Sequence, residues 1–469
     1  MIWRRFRKSI GWEKILIQLA LVWTATTMAC MAAPEPVTFS PPAGTFLESQ
    51  SVTLTSASAD ATIYFTTDGT LPTKDKGALY SKPLLLSNNH QIRAVAVGDG
   101  GVSDITSAAY YRISEDLAKH RSKLPMLVID SFGTKILGKP WKGATQVRQV
   151  PRLPAELMVF DQGKDGTAKF ERVPTSTHRI GIRRRGSFSS TWRQKPYSFE
   201  LWDESDDDLD ARILDLPAHS DWVLYYPDVD QDKDHTMLYN AFIWTVGAKL
   251  RRYAPRFRWV EVFVDEDRDS ISTEDRRGIY ALVEKVSRGK SRLPFAKMSD
   301  DGASGGWMVS INRMDAEYAG GWPAPNGTSQ AQFFHTAGPN RIAESSPNGP
   351  AEGDDFPRYV GIHMNFESPN GYKINPAQRR AIERSFKEFE DALYNDETWL
   401  DPESGYRTYV DAGDFSLTFT CLTISRKIGM GCCSASIRGA PPKMGSSGWG
   451  QRGILIGGVS IKAPPRQAT

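Results

Sequence analysis

Short apolar runs with a period of two, broken by turn residues, set what the first part of this chain can fold into. Val52-Thr53-Leu54-Thr55, Ala61 to Thr66 and Ile92 to Val97 each alternate apolar and polar residues. That period sends successive side chains to opposite faces of an extended strand. Pro41-Pro42-Ala43-Gly44, Asp68-Gly69 and Asn88-Asn89 separate the runs with turn chemistry. The pattern predicts a small all-β sandwich over residues 34–113. An exposed aromatic such as Tyr64 can stack on a sugar ring, but cross-strand packing is the commoner use of such a residue.

The two ends of the chain differ from its body. The 469 residues carry a formal charge of +3, enough length for two or three domains and 40% hydrophobic residues. Residues 1–33 hold five Lys/Arg and one Glu, and residues 416–469 hold seven Lys/Arg and no acidic residue. Removing both ends leaves −8 for residues 34–415, which argues against a nucleic-acid partner. Arg4, Arg5, Arg7, Lys8 and Lys14 precede the apolar run Ile15 to Ala29, and the small residues Ala29, Ala32 and Ala33 follow. This is the layout of a secretory signal peptide over 1–33, cleaved between Ala29 and Pro34; an uncleaved N-terminal anchor is the alternative. Lipid attachment at Cys30 has a poor lead-in, Thr27-Met28-Ala29. The expected location is secreted or cell envelope. Of the cysteines Cys30, Cys421, Cys432 and Cys433, none lies in the body, so an exported fold has no disulfide framework there.

A charged linker, 114–123, leads to a larger domain expected over 124–415. Leu124 to Asp130 reads as a buried strand, Ala155 to Phe160 as a second and Phe170 to Val173 as a third; with Tyr197 to Trp202 they predict a mixed sheet. Asp203 to Asp210 reads as a solvated acidic loop. Asp228, Asp230, Asp232 and Asp234 alternate, but Lys233 and Tyr239 stand where an EF-hand loop needs glycine and glutamate. Asp234 is better placed as the N-cap of a helix with Leu238, Phe242, Thr245 and Val246 on its apolar face. Further strands are expected at Phe257 to Asp265, Gly278 to Glu284 and Gly305 to Val309, with a charged hairpin tip at Glu266 to Arg277. Gly320 to Asn370 reads as a loop excursion or lid. Asn375-Pro376 opens a helix whose stripe Ile382, Phe386, Phe389 and Leu393 is read as core.

Between the expected third and fourth strands lies the densest chemistry. Arg183 to Glu200 holds a basic turn, a hydroxyl-rich loop from Ser187 to Thr191, and Lys195-Pro196-Tyr197 entering a strand. A glycine beside hydroxyls and backbone N–H groups can wrap an anion, and a lysine can bring a point charge to it. By itself such a stretch is more often a solvated basic hairpin.

The neighbours resemble the CotH family of atypical, kinase-like phosphotransferases. The resemblance rests on Arg185-Gly186-Ser187-Phe188-Ser189-Ser190, Gln194-Lys195-Pro196-Tyr197, Asp221-Trp222 and the G-x-Y-x-L-x-E strand Gly278 to Glu284. The family's asparagine after the glycine is missing, and Phe188 interrupts the serines. The resemblance spans roughly Leu124 to Phe415. The first domain resembles the chitobiase/β-hexosaminidase C-terminal type through Pro42-Ala43-Gly44-Thr45-Phe46 and Ile63 to Thr73. The implied architecture is multidomain: a β-sandwich, then an α+β kinase-like domain incomplete at its C-terminus. The implied function is an ATP-dependent protein kinase acting on Ser/Thr of a surface or envelope protein, with ATP and Mg2+ as cofactors. Arg185, Gly186, Ser187, Lys195 and Glu284 would bind the nucleotide, with Glu284 holding Lys195. The alternative is a cell-surface carbohydrate-binding or structural scaffold, with a glycan on the sandwich. A Ser/His/Asp hydrolase ranks below both, for there is no G-x-S-x-G elbow.

No catalytic or metal-binding residue is retained, by the same resemblance. The family supplies its metal and base from N-x-D-G and W-D-x-D segments that do not occur after Phe415. Ser416 to Thr469 instead holds nine glycines, three of the four cysteines and no Asp or Glu. At the usual acidic frequency such a gap has a chance on the order of one in a thousand. With suitably chosen codons, the adjacent frame of Ile424 to Met430 can encode S-K-N-W-D-G, and that of Lys443 to Gly457 can encode a W-D-x-D segment. The tail 416–469 therefore reads as the product of a frameshift just after Asp414.

Overall fold

The computed structural model describes residues 32–138, 151–186, 193–226, 234, 236–250, 253–311, 322–323, 329–330, 333–336, 363–371, 373–410, 435–440 and 460–462. Residues 1–31 of the expected signal peptide lie outside them. The chain divides into two units, one of 1–120 with 170–177 and 267–274, the other of 121–169, 178–266 and 275–469.

The first unit is the expected β-sandwich. One sheet pairs Thr38–Ser40, Gln50–Thr55 and Leu84–Leu86; the other orders Gly44–Phe46, Thr106–Arg112, His90–Gly98, Thr62–Thr66 and Ala78–Leu79. Alternation gives each sheet one apolar face, and Val52, Leu54 and Leu86 from one meet Ile63, Ile92, Ala94 and Ala108 from the other in a single core. Tyr64 is half-buried opposite Leu79 and Val95, a cross-strand role. Two later segments belong to this unit. The Thr45 N–H donates to the Arg172 carbonyl at 2.9 Å, and the Ile271 N–H to that of Arg112 at 2.7 Å. Phe170 to Val173 is thus not a strand of the larger domain, and part of the expected hairpin tip is anchored.

The second unit is built on a closed seven-stranded barrel rather than an open mixed sheet. Its strands are β1 (Met126–Asp130), β2 (Leu153–Phe160), β3 (Ser176–Arg184), β4 (Tyr197–Trp202), β5 (Asp221–Tyr225), β6 (Phe257–Asp265) and β7 (Arg276–Glu284). They pair in the order β1-β2-β3-β4-β5-β7-β6, and β1 closes the ring by running parallel to β6. Alternate residues point inward, so Leu127, Ile129, Leu157, Ile180, Phe199, Trp222, Val262 and Leu282 fill the interior. β3 was illegible as a strand because only Ile180 and Ile182 are apolar among mostly polar neighbours.

Two helices of this unit fall among the described residues. The first, α1 (Tyr239–Lys249), starts four residues later than expected, with Leu238 rather than Asp234 at the N-cap; the Asp234 carboxylate still accepts from the backbone N–H of Leu238 at 3.1 Å and of Tyr239 at 3.0 Å. Its buried face differs from expectation. Leu238 and Phe242 are 52% and 53% exposed, while Ala241, Ile243 and Gly247 are buried. Trp244 packs against Tyr225 and Phe257, with ring centroids 5.6 and 5.3 Å away. Small residues let the helix approach the barrel closely, and one tryptophan supplies the contact area.

Beyond the barrel, β8 (Trp307–Ile311) pairs with β9 (His363–Ser368), so part of the expected excursion is sheet. Two pieces of the tail, 435–440 and 460–462, extend this sheet beside β8. The helix α2 (Pro376–Leu393) starts with a full capping box: Asn375 Oδ1 accepts from the Ala377 and Gln378 N–H groups, and Gln378 Oε1 from the Asn375 N–H. Its Ile382 and Phe386 join Trp307, Val309, Phe334 and Phe366 in a second core, as the stripe predicted. Asp411 and most of the tail lie outside the described residues.

The seating of α1 is open to test by denaturant unfolding. Trp244→Ala should cost about 2 kcal/mol for a half-buried aromatic. Phe242→Ser should stay within about 0.5 kcal/mol. The reverse order would return the helix to the face read from its sequence.

Candidate functional site

The basic stretch ends at one rim of the barrel. There β3 pairs with β4, Arg184 facing Tyr197. The Arg184 N–H donates to the Leu137 carbonyl at 2.9 Å, and that of Arg185 to the Pro196 carbonyl at 2.8 Å. Gly186 follows at φ 83°, in the left-handed region where a side chain is strained. Arg185 and Gly186 are exposed. Ser187 and the hydroxyl-rich loop lie outside the described residues.

Lys195 stands across the hairpin, two residues before Tyr197. It is half-buried, and burial, joined by the charge of Arg184, holds its ammonium below the usual lysine range. Arg277, at the start of β7, donates to the Val264 carbonyl at 2.6 Å and bonds the Tyr197 hydroxyl. Burial and Glu266 push that phenol up to about 12, so Tyr197 stays neutral. Beside Arg184, Lys195 and Arg277 stands Glu266, whose carboxylate lies 3.7 Å from Arg184 and accepts the Ile136 N–H at 2.6 Å, while Arg185 has its own counter-charge in Glu367. The rim is therefore cationic, with a left-handed glycine in its midst. Such a place suits an anion bearing several oxygens.

The structure does not make the expected Lys195–Glu284 pair. Glu284 is fully buried four residues further along β7 than Tyr280, the residue beside Lys195, which is about 13 Å along a strand. Its carboxylate accepts from Arg256 through the backbone N–H at 3.0 Å and Nε at 2.8 Å. Arg292 Nε lies 3.5 Å away and its guanidinium 4.8 Å from the Trp222 ring. Two planar guanidinium groups satisfy a buried carboxylate better than one flexible ammonium. Glu284 is thus a structural anchor at the opposite barrel end. Nothing in the sequence marked Arg256 or Arg292 as its partners, because both sit in loops outside any motif.

What positions Lys195 comes from the same G-x-Y-x-L-x-E strand. The Tyr280 hydroxyl donates to the Lys195 carbonyl at 2.9 Å, and Gln194 Nε2 to the Ile279 carbonyl at 3.2 Å. Gly278, at φ 103°, leaves the space that Gln194 fills: a Cβ there would stand 3.2 Å from the amide atoms.

Other candidates resolve into structural roles. Ser287 Oγ lies 3.3 Å from His219 Nε2, but His219 Nδ1 accepts the Asp221 N–H at 2.9 Å. The neutral ring then carries its proton on Nε2 and has no lone pair for the serine. Burial, with Arg292 nearby, keeps that ring neutral. In the acidic loop, Asp203 accepts from the N–H groups of Ser205 and Asp207 at 2.7 and 3.0 Å, and Asp206 pairs with Arg179. Asp221 pairs with Lys285 at 2.7 Å. Among the described residues no group of three or more His, Cys, Asp or Glu side chains is arranged to hold a metal ion. Asp228, Asp230 and Asp232 lie outside those residues.

Residues 182–323 match the family described as CotH kinase protein, and residues 41–108 match the Chitobiase/beta-hexosaminidase C-terminal domain. The chain is therefore CotH-like over residues 182–323, with a chitobiase-type domain ahead. No curated protein matches it. No described helix is long and apolar enough to cross a membrane.

Substitution separates the two ends of the barrel. Glu284→Ala strands buried Arg292 and should cost about 3 kcal/mol in urea unfolding. Lys195→Ala should change stability by less than about 0.5 kcal/mol. Equal losses from the two would argue for a shared ion pair.

Proposed function

We propose that the second unit binds the phosphates of a nucleoside triphosphate at the cationic rim, in an exported CotH-like protein whose kinase-like family acts on Ser or Thr of surface proteins and which has itself lost that activity. The observation that carries this is Lys195 beside Arg184 at one end of a closed barrel, with Arg185 and the left-handed Gly186 following in the same turn. Phosphoryl transfer is mostly positioning and charge neutralisation, and this rim supplies both for the phosphate oxygens. Ser187 and its neighbours would add hydroxyl donors.

Among the described residues no group of three or more His, Cys, Asp or Glu side chains is arranged to hold a metal ion, so the reading rests on the phosphate contacts. In this reading the chain is catalytically dead, its metal-holding aspartates lost with the frame after Asp414. The gene should carry N-x-D-G and W-D-x-D in the adjacent frame. An early stop codon in that frame would sink the frameshift, and metal-dependent phosphotransfer by this chain would sink the claim of inactivity.

A second reading draws on the chitobiase-type match: a surface scaffold whose sandwich holds a glycan. Calorimetry with ATP and a polysaccharide pull-down distinguish the two. Lys195→Ala should weaken ATP binding by about 1.5–3 kcal/mol, the range for a charged hydrogen bond. Affinity should also fall as pH rises through the lowered Lys195 pKa, because only the ammonium attracts phosphate. Glycan capture without any nucleotide binding would favour the scaffold.

A further inference from the structure

We propose that Tyr280, with Gln194, is the positioning residue for Lys195, fixing where its ammonium stands at the rim. The inference rests on the phosphate-binding reading and assigns to the start of β7 the work that Glu284 was expected to do.

The geometry is direct. The Tyr280 hydroxyl holds the Lys195 carbonyl at 2.9 Å, and the Gln194 amide ties the preceding residue to Ile279 at 3.2 Å. Tyr280 is itself fully buried, its ring 6.3 Å from that of Tyr197 and 5.8 Å from that of Tyr226. A ring so packed has little freedom, so its hydroxyl is a fixed point. Burial drives its pKa well above the ordinary phenol range, which keeps the proton it donates. Gly278 lets Gln194 lie close on the strand. Lys195 is thereby pinned through its backbone from two sides.

Charged and titratable groups around this point are Arg184, Arg277, Tyr197, Tyr226 and, through Arg184, Glu266. Lys195 titrates low because it is held partly buried beside Arg184. Once released, its flexible side chain swings into water and regains an ordinary pKa. Its acylation profile therefore reports its position without any nucleotide.

The test follows acylation of Lys195 by an N-hydroxysuccinimide ester across pH, read by peptide mass spectrometry, with exposed Lys164 in the same chain as reference. In the unaltered protein the Lys195 profile should rise at lower pH than that of Lys164. In Tyr280→Phe, which keeps the ring, and in Gln194→Ala, it should move toward the Lys164 profile. Should Tyr280→Phe fail to fold, Gln194→Ala decides. ATP affinity measured in parallel should fall about three- to tenfold, the worth of one neutral hydrogen bond. A Lys195 profile unmoved in the folded variants overturns the proposal. Absence of ATP binding by the unaltered protein, with the profile still shifting in the variants, defeats the nucleotide reading and leaves the positioning role standing.

Discussion

The second unit depends on the parallel pairing of β1 with β6. Met126–Asp130 lies between β2 and β6, and each of its five residues is buried. Without that pairing the seven strands would form an open sheet with two exposed edges, and the interior residues would have no opposite wall. Closure gives the barrel two distinct ends. Strand direction then assigns residues to them: the turn after β3, the entry to β4 and the start of β7 meet at one end, and the end of β7 at the other.

Opposite chemistry has collected at these ends. At the first, positive charge exceeds negative, Lys195 is held by neutral groups and Gly186 adds an open turn. At the second, buried Glu284 is enclosed by Arg256 and Arg292, with Trp222 against the latter. The second set is matched and inward, which suits a structural ion cluster. The first has cations in excess and reaches the surface, which suits a ligand. Proximity in a motif therefore misleads, because four residues along one strand separate the two roles.

Much of the architecture was legible in the sequence. Tyr197–Trp202 and Phe257–Asp265 stand as read, since alternation and flanking turns both mark them. The Asn375 capping box and the Ile382–Phe386 stripe were equally plain, because both signals are local. Barrel closure was not legible, for it joins strands far apart in the chain. The face of α1 was misread because exposed Leu238 and Phe242 outweigh Ala241 and Gly247 in any apolar stripe, though the small residues decide the approach. At the site, Arg185, Gly186 and Lys195 do share the rim. The partner of Lys195 was misassigned because the motif contains both Tyr280 and Glu284, and only barrel register tells which of them stands beside it.

The proposed anion site and the Glu284 cluster stand at separate ends of one barrel. Hydrogen exchange of the whole protein with and without ATP, read by mass spectrometry, tests this most directly. Protection should rise over 183–197 and 277–281, with exchange at 254–257 and 284–293 unchanged. Protection centred on Arg256, Glu284 and Arg292, with none at Arg183 to Lys195, would contradict the account.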